Sequence, residues 1–400
     1  MYPSKQGNKK FAYIGCLGFI GVITTEFGVI GILPQIAAHY QISIDTAGIL
    51  LSAFALVIAL TGPFMTLLTA RFDRKKVMLT AISIFLITGV VSSFSPPFWL
   101  LMLVRMLPAF LQPVYIASAL SVAVSQGNKN NENELMSIVF SGVAIAMVTT
   151  VPFATYLASQ FSWEYSFMVQ SLVSLIAVLG IYFLLPKMPV KEKKSFGSQL
   201  KILSQPTFMI STAMNFFMIS GWFSTYSYFA EYLNKAKLMD NTMVSYMLFL
   251  FGLIGVFANW IAGKMLNKNV SRTTAFFLSG TIIIPILLHF SGGNTIATIL
   301  VIGIWGFLYA PSFLNASTYM ISSVPNSLEF ANSLATSFGN LGVTLGTTLG
   351  GWIIATKGVS YTPWVTVVFG ALAFLMMAWR SYLEKEAKTT DKQMLCNSEG

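Results

Sequence analysis

Two ionisable residues interrupt stretches of this sequence that are otherwise almost free of charge, Glu26 and Arg105. Glu26 lies seven residues before the end of the first apolar stretch at Leu33, and Arg105 lies seven residues after the start of the fourth at Phe98. On helices rising 1.5 Å per residue, both sit about 10 Å below the same surface. A carboxylate at that depth is costly unless a cation, hydrogen bonds or a proton holds it, so proton and ligand can compete for it. Glu26 is therefore a candidate proton carrier, and its alternative role is a structural carboxyl fixed through Thr24 or Thr25. Arg105 keeps its charge at any relevant pH, which suits it to organising carboxylates and helix ends, in a coupling, gating or purely structural capacity.

A candidate ligand surface is readable from helical spacing. Trp305, Tyr309 and Phe313 recur every four residues on one face, with Asn315 farther along, while Tyr226 and Tyr228 lie on the seventh stretch and Gln112 and Tyr115 on the fourth. An aromatic pocket with a few polar groups fits planar or partly polar solutes. The competing reading is that these aromatics pack or line the membrane interface. Glu164 and Glu231, near helix ends, read as solvated, and His39 in the first outer loop and His289 lie away from the centre. Gly342, Gly346 and Gly350, four apart, read as a close helix contact. Pro34, Pro113, Pro152, Pro285 and Pro311 are placed to kink or end helices.

The elements that must position these residues follow from composition. The 400 residues are 55% hydrophobic and only 10% charged, with mean hydropathy +0.70, which excludes a soluble enzyme with a polar surface. Apolar stretches of about 20 residues are long enough to span a bilayer. Twelve are expected, over 11–33, 45–69, 77–94, 98–125, 135–159, 164–185, 207–229, 241–266, 274–290, 294–322, 331–357 and 362–382. They divide into a six-helix bundle over 1–185, a basic linker over 186–206, a second six-helix bundle over 207–382 and a tail over 383–400. The first stretch follows Lys5, Lys9 and Lys10 and is too long for a cleaved signal. Twenty of the 24 Lys and Arg residues fall on one side of the expected topology, three (Lys235, Lys237, Lys357) on the other, and Arg105 alone within a span. Both termini are thus expected to be cytoplasmic. The net charge of +10 then meets anionic membrane lipid, and nucleic acid is not needed to explain it. Cys16 and Cys396 form no disulfide or zinc pattern. No metal, cofactor or catalytic motif such as H-E-x-x-H or G-x-S-x-G is expected. The loop Ala70-Arg71-Phe72-Asp73-Arg74-Lys75-Lys76 has a degraded counterpart in Gly263-Lys264-Met265-Leu266-Asn267-Lys268, the trace of a duplication.

Several runs resemble the major facilitator superfamily, and specifically its twelve-span drug and sugar efflux branch of proton antiporters. Thr24-Thr25-Glu26-Phe27 with Gly31-Ile32-Leu33-Pro34-Gln35-Ile36-Ala37 resembles the first span of bacterial sugar, arabinose and purine efflux permeases. Arg71 to Lys76 resembles the loop between the second and third spans, with Ala70 in the place of the usual Asp and Asp73 as its substitute. Arg105 falls at the fourth-span arginine, followed by Pro108-Ala109-Phe110. Gly142 and Val151-Pro152 resemble the antiporter motif, although its other glycines are missing, and Gln112 stands where relatives often carry His. Trp163-Glu164 replaces a common Trp-Arg pair. Tyr226-Ser227-Tyr228, Trp305-Gly306 and Asn340-Leu341-Gly342 are also similar to the sugar efflux permeases. The resemblance implies an all-α major facilitator fold in a bacterial inner membrane. It further implies a monomer that uses the proton gradient to export a small organic solute: a drug, sugar, nucleobase or nucleoside. On it, Glu26 and Arg105 couple protons, and Gln112, Tyr115, Tyr226, Tyr228, Trp305, Tyr309 and Asn340 bind solute. Arg71, Asp73, Arg74 and Pro152 serve gating. Uptake, facilitated diffusion and a non-transporting sensor remain open alternatives.

Overall fold

The computed structural model describes residues 9–69, 71–125, 132–188, 203–324 and 328–398. Lys5, Ala70, Lys129 and linker residues 189–202 lie outside the described residues, as do the side chains of Lys388, Lys392 and Cys396. Every regular element among the described residues is helical, as a chain surrounded by hydrocarbon requires when no water is present to satisfy its amides.

The first span is Lys10–Phe27 (α1), a tight turn over Ile30–Ile32, and Leu33–Tyr40 (α2). Pro34 sits in the first turn of α2, where its missing N–H removes no helical bond. His39, expected in a loop, is instead in the last turn of α2, packed on Trp163. Ile44–Thr69 (α3), Arg74–Ser92 (α4) and Phe98–Val124 (α5) follow. The fifth span divides at Thr149 into Glu132–Val148 (α6) and Thr150–Gln160 (α7), next to Pro152, and Glu164–Leu184 (α8) completes this half. Beyond the linker, Pro206–Tyr226 (α9) leads through the short Phe229–Glu231 (α10) and a wide turn over Tyr232–Ala236 to Asn241–Lys268 (α11). Val270–Phe290 (α12), Thr295–Tyr309 (α13), Ser312–Ile321 (α14), Leu328–Lys357 (α15) and Thr362–Ser398 (α16) end the chain, with Pro311 dividing the tenth span.

Ten of these stretches, among the described residues, are long and apolar enough to cross a membrane. The seventh and eleventh spans, α9 and α15, are diluted by Ser, Thr and Asn and by Gly and Thr, and they pack on each other. Leu60, Phe64, Leu103, Leu107, Phe183 and Leu300 point outward and exposed, a surface that only lipid tails solvate without cost.

α1 is enclosed by α5, α6 and α8, while α9 is enclosed by α14, α15 and α16. Two seams join these groups, α3 against α15 and α6–α7 against α11. Asp73 and Asn269 each cap the third span of their group, α4 and α12, accepting from the backbone N–H groups of Lys76 and Arg272. The duplication is thus more legible in these two caps than in the loops before them. α16 runs unbroken from Thr362 to Ser398, through most of the residues expected as the tail. Leu383, Glu384, Lys385, Glu386 and Ala387 are strong helix formers, and Arg380 pairs with Glu384 one turn on.

Gly342, Gly346 and Gly350 lie against backbone carbonyls of Phe216, Ser220 and Ser224, so a methyl group at Gly346 would collide with the Ser220 oxygen. Gly346→Ala is expected to destabilise the fold by about 1–3 kcal/mol, seen as a lower thermal midpoint in detergent. Gly263→Ala, where a methyl group meets nothing within 4 Å, is expected to leave the midpoint unchanged or slightly raised.

Candidate functional site

α1 ends at Phe27 because the chain turns at Gly28, and this ending places Glu26 in the last helical turn, 5% exposed. The Gln112 amide, one helical face along α5, donates to the Glu26 carboxylate at 2.6 Å. Arg105 does not pair with Glu26. Its guanidinium donates to the Thr25 carbonyl at 3.0 Å, neutralising the negative end of α1, and packs between the Phe54 and Phe167 rings. The two residues that share a depth in the sequence therefore meet on adjacent backbone positions. Gln112, not Arg105, holds the carboxylate. Thr24, named as a structural partner for Glu26, bonds instead to Thr150 at the break in the fifth span, and Thr25 to the Gly21 carbonyl.

Next to Glu26, Phe27 touches Phe223 of α9 at 6.0 Å between ring centres, which carries the site across to the second group of helices. There Phe223, Tyr226 and Tyr309 form one aromatic cluster with Phe229, Phe251 and Trp305. Tyr309 lies within electrostatic reach of the Glu26 carboxylate. Phe313 keeps its contact with Phe223 at 5.9 Å despite the break at Pro311. Several buried polar atoms here have no protein partner: Oε1 of Gln112, Nε1 of Trp305 and Trp222, and Oδ1 of Asn340 and Asn315. Each unmet buried group costs about 1–3 kcal/mol, and a polar solute can recover that cost.

Two expected ligand residues stand elsewhere. Tyr115 turns inward, donating to the Gly15 carbonyl at 3.1 Å in the space left by Gly18, and so clamps α5 to α1. Tyr228 donates to the Thr347 carbonyl at 2.9 Å and fills the space between Gly48 of α3 and Gly351 of α15. That places it at the end of the molecule where α3 begins. The two hydrogen bonds that cross between the helix groups, among the described residues, are Thr344 to the Ser52 carbonyl and Gln160 to Thr242. Tyr156 stacks on Tyr246 beside the latter. This end is closed.

The opposite, basic end is braced within each group. Asp73 accepts from the Met188 N–H at 2.8 Å, the Arg74 N–H donates to the Met188 carbonyl at 3.1 Å, and Lys75 donates to the Tyr182 carbonyl, so the loop grips the end of α8. Arg71 is exposed and lies over the Phe72 ring. Pro152 is buried in the first turn of α7, which packs on α11. Sequence reasoning missed Arg380, grouped with the tail although it falls inside the twelfth span. It is 5% exposed and donates to Ser211, Ser322, the Tyr319 carbonyl and Glu384, tying α9, α14 and α16 together. Lys237 was missed too. Its ammonium donates to the Leu288 and Gly292 carbonyls and to Ser291, capping α12, and burial pulls it below the ordinary lysine range. Glu164, read as solvated, accepts from Ser95 at 2.5 Å. Among the described residues no group of three His, Cys, Asp or Glu could hold a metal ion.

Residues 15–329 match the Major Facilitator Superfamily. A probable sugar efflux transporter of Helicobacter pylori is 25% identical over 98% of this chain and 100% of its own. The inner membrane transport protein YdhP of Escherichia coli is 27% identical over 90% of this chain and 93% of its own. The crystal structure of a bacterial homologue of the human lysosomal transporter Spinster, in an inward-facing and occupied conformation, superposes with a TM-score of 0.75 at 15% identity, over 94% of this chain and 96% of that one.

The geometry separates packing from contact. Tyr115→Phe is expected to cost about 1 kcal/mol of stability, the net worth of one hydrogen bond, and to leave solute affinity unchanged. Tyr309→Ala is expected to weaken affinity at least about tenfold, the effect of roughly 1.4 kcal/mol. Thermal unfolding and tryptophan fluorescence titration with a transported solute check both.

Proposed function

The chain belongs to the Major Facilitator Superfamily, and on that premise we propose that it is a proton-coupled exporter of a small organic solute. The observation that carries the reading is the buried Glu26–Gln112 pair, set against an aromatic wall that belongs to the other group of helices and has polar atoms to spare. A carboxyl that can be charged or neutral, on the seam between two helix groups, gives a proton and a solute one shared point of competition.

The steps follow from charge. The Gln112 N–H stabilises the carboxylate, so the deprotonated state favours closure of α5 on α1 and leaves the Gln112 carbonyl free for solute. A proton arriving at Glu26 removes that charge, weakens the amide bond and releases solute on the proton's side. The exchange moves solute only if the two conformations differ in affinity for both partners. Each helix group acts as a rigid body, the first over 1–185 and the second over 207–382, joined in sequence by the linker over 186–206. The clamp of Asp73 and Arg74 on Met188 steadies the basic end, with Arg71 exposed beside it for gating, and the break near Pro152 lets α7 follow α11.

Both termini lie in the cytoplasm, the basic loops face anionic lipid of a bacterial inner membrane, and the protein works as a monomer. The closed end is then extracellular. Candidate solutes are amphipathic drugs, sugars, nucleobases and nucleosides. The relatives named as probable sugar efflux transporters support sugars among these candidates.

In proteoliposomes challenged with these classes, solute-dependent proton movement is expected for the native protein and absent for Glu26→Gln. Solute flux that survives Glu26→Gln with unchanged pH dependence makes Glu26 structural and ends the coupling model. Accumulation in right-side-out rather than everted vesicles makes the direction uptake. A second test uses the contact between Gln160 and Thr242. With Cys16 and Cys396 replaced by Ser, a short crosslink between Gln160→Cys and Thr242→Cys is expected to abolish net flux and to leave the isolated protein folded. Full flux after complete crosslinking rules out opening at that end.

A further inference from the structure

Three side-chain amides around the solute site share one orientation. Gln112 donates its amide N–H to Glu26, Asn315 to the Pro311 carbonyl and Asn340 to the Thr336 carbonyl. A carboxylate and a backbone carbonyl only accept, so each amide is fixed with its nitrogen turned to the protein. The oxygens left over, Oε1 of Gln112 and Oδ1 of Asn315 and Asn340, are buried without a partner. The site therefore holds an excess of acceptors, and a partner that donates hydrogen bonds meets them best. The wall beside Glu26 is not sealed by packing. Phe313 touches Phe223 and lies against Gly339 of α15, yet it is 36% exposed. Phe223 in turn touches Phe27, the neighbour of Glu26, and Tyr309 is within electrostatic reach of the Glu26 carboxylate.

We propose that proton and solute compete for one atom, the Gln112 carbonyl oxygen, and that the solute is one that donates to it through a hydroxyl or an N–H. This deepens the coupled-exporter reading and rests on it for the solute, while the exchange within the Glu26–Gln112 pair needs no space beyond the pair itself. With Glu26 charged, both its oxygens accept, so only a donor from outside the pair can meet the Gln112 oxygen. A proton from hydronium forms one O–H bond on Glu26 and neutralises it, leaving water behind, and no other covalent bond changes. The carboxyl has become a donor, and the unmet oxygen belongs to the very amide that holds it. A small rotation sets the amide edge-on, its N–H on one carboxyl oxygen and its own oxygen accepting the new O–H. The atom that received the solute is then occupied. The two protonation states thereby differ in solute affinity, as exchange requires, and a solute that only accepts hydrogen bonds gains nothing from the charged state. The charged and titratable side chains around Glu26 are Cys16 farther down α1, Arg105 and Tyr115 on α5, Tyr226 on α9 and Tyr309 on α13, with Asp45 and Glu164 at the outer ends of α3 and α8. Arg105 and Tyr115 donate to the Thr25 and Gly15 carbonyls, and Glu164 accepts from Ser95.

The first test is infrared difference spectroscopy of the full-length protein in liposomes, between neutral and acid pH and without solute. As the Glu26 carboxyl band grows in, assigned as the band lost in Glu26→Gln, the Gln112 carbonyl band, assigned as the one lost in Gln112→Met, is expected to move to lower wavenumber in step. In Glu26→Gln the Gln112 band is expected to stay fixed. If Gln112→Met fails to fold, Gln112→Asn, which keeps an amide in a changed setting, makes the assignment. The second test is tryptophan fluorescence titration with D-glucose and uridine, each against partners of similar size that lack one donor, the deoxyfluoroglucoses and 3-methyluridine. Binding at neutral pH is expected to be at least about tenfold tighter than at acid pH, equivalent to roughly 1.4 kcal/mol. Loss of the donor that faces Gln112, or Gln112→Met, is expected to remove that ratio, whereas Tyr309→Ala weakens binding and keeps it. Failure of both probes to bind, or a ratio unchanged by loss of any donor and by Gln112→Met, overturns the donor requirement. A fixed Gln112 band in a protein that moves protons with solute overturns the competition and leaves the coupled exporter standing. A band that shifts in a protein that moves no protons with any solute keeps the exchange within the pair and overturns the exporter instead.

Discussion

A carboxylate in hydrocarbon must be held by something, and here a single amide hydrogen bond from Gln112 holds Glu26. Charge burial sets what surrounds that bond. Desolvation of an ion costs several kcal/mol after relaxation, which one neutral donor offsets only in part. The protein does not add the nearby guanidinium to the pair. It spends Arg105 on the Thr25 carbonyl at the end of α1, so no ion pair holds the Glu26 carboxyl. A direct ion pair would have locked the charge in place. A residue intended to exchange protons is better served by a weak partner and a nearby cation than by a strong one.

That choice explains the placement of irregular backbone. α1 must stop at Phe27 for its terminal carbonyl to meet Arg105, and the chain turns at once through Gly28. The breaks at Thr149, at Tyr226 to Tyr228 and at Pro311 interrupt the fifth, seventh and tenth spans. Thr24 bonds to Thr150 at one of them, and Tyr226 and Tyr309 flank two others while touching each other at 4.6 Å between ring centres. Broken helices are tolerated in a membrane where protein satisfies the freed amides. Here they gather around one buried carboxyl.

Much of this was legible in the sequence because the bilayer imposes length, period and charge rules on every span. The twelve stretches, Glu26, Arg105 and the spacing of Trp305 and Tyr309 are one-dimensional signals. What was hidden depends on which way a side chain turns. Tyr115 and Gln112 are three residues apart on α5, yet Tyr115 fills the space at Gly18 while Gln112 reaches Glu26. No periodicity distinguishes neighbours on one face that differ by 60° in direction. Tyr228 reads as a ligand residue by its neighbour Tyr226, but the turn after α9 sends it to the closed end. Arg380 escaped because a basic residue within one turn of a span end looks the same whether it snorkels outward or bonds inward. His39 escaped because the pause at Gly28 to Ile32 mimics the end of a helix that in fact resumes.

The two ends of the molecule are held by different kinds of contact, and the difference matters for motion. At the basic end the bonds are strong and internal to each helix group: the Asp73–Met188 clamp in one, the Arg380 node in the other. At the far end the groups meet through hydroxyl and amide bonds, Thr344 to Ser52 and Gln160 to Thr242, and through Tyr228 seated between glycines. Charge-assisted networks are costly to open, whereas neutral bonds exchange for water at little net cost. A pair of bodies braced in this way separates where the bonds are neutral and moves as units where they are charged. The buried carboxyl lies between those neutral contacts and the braced end, beside the Phe27–Phe223 contact that joins the two helix groups, so a change in its charge acts next to the seam.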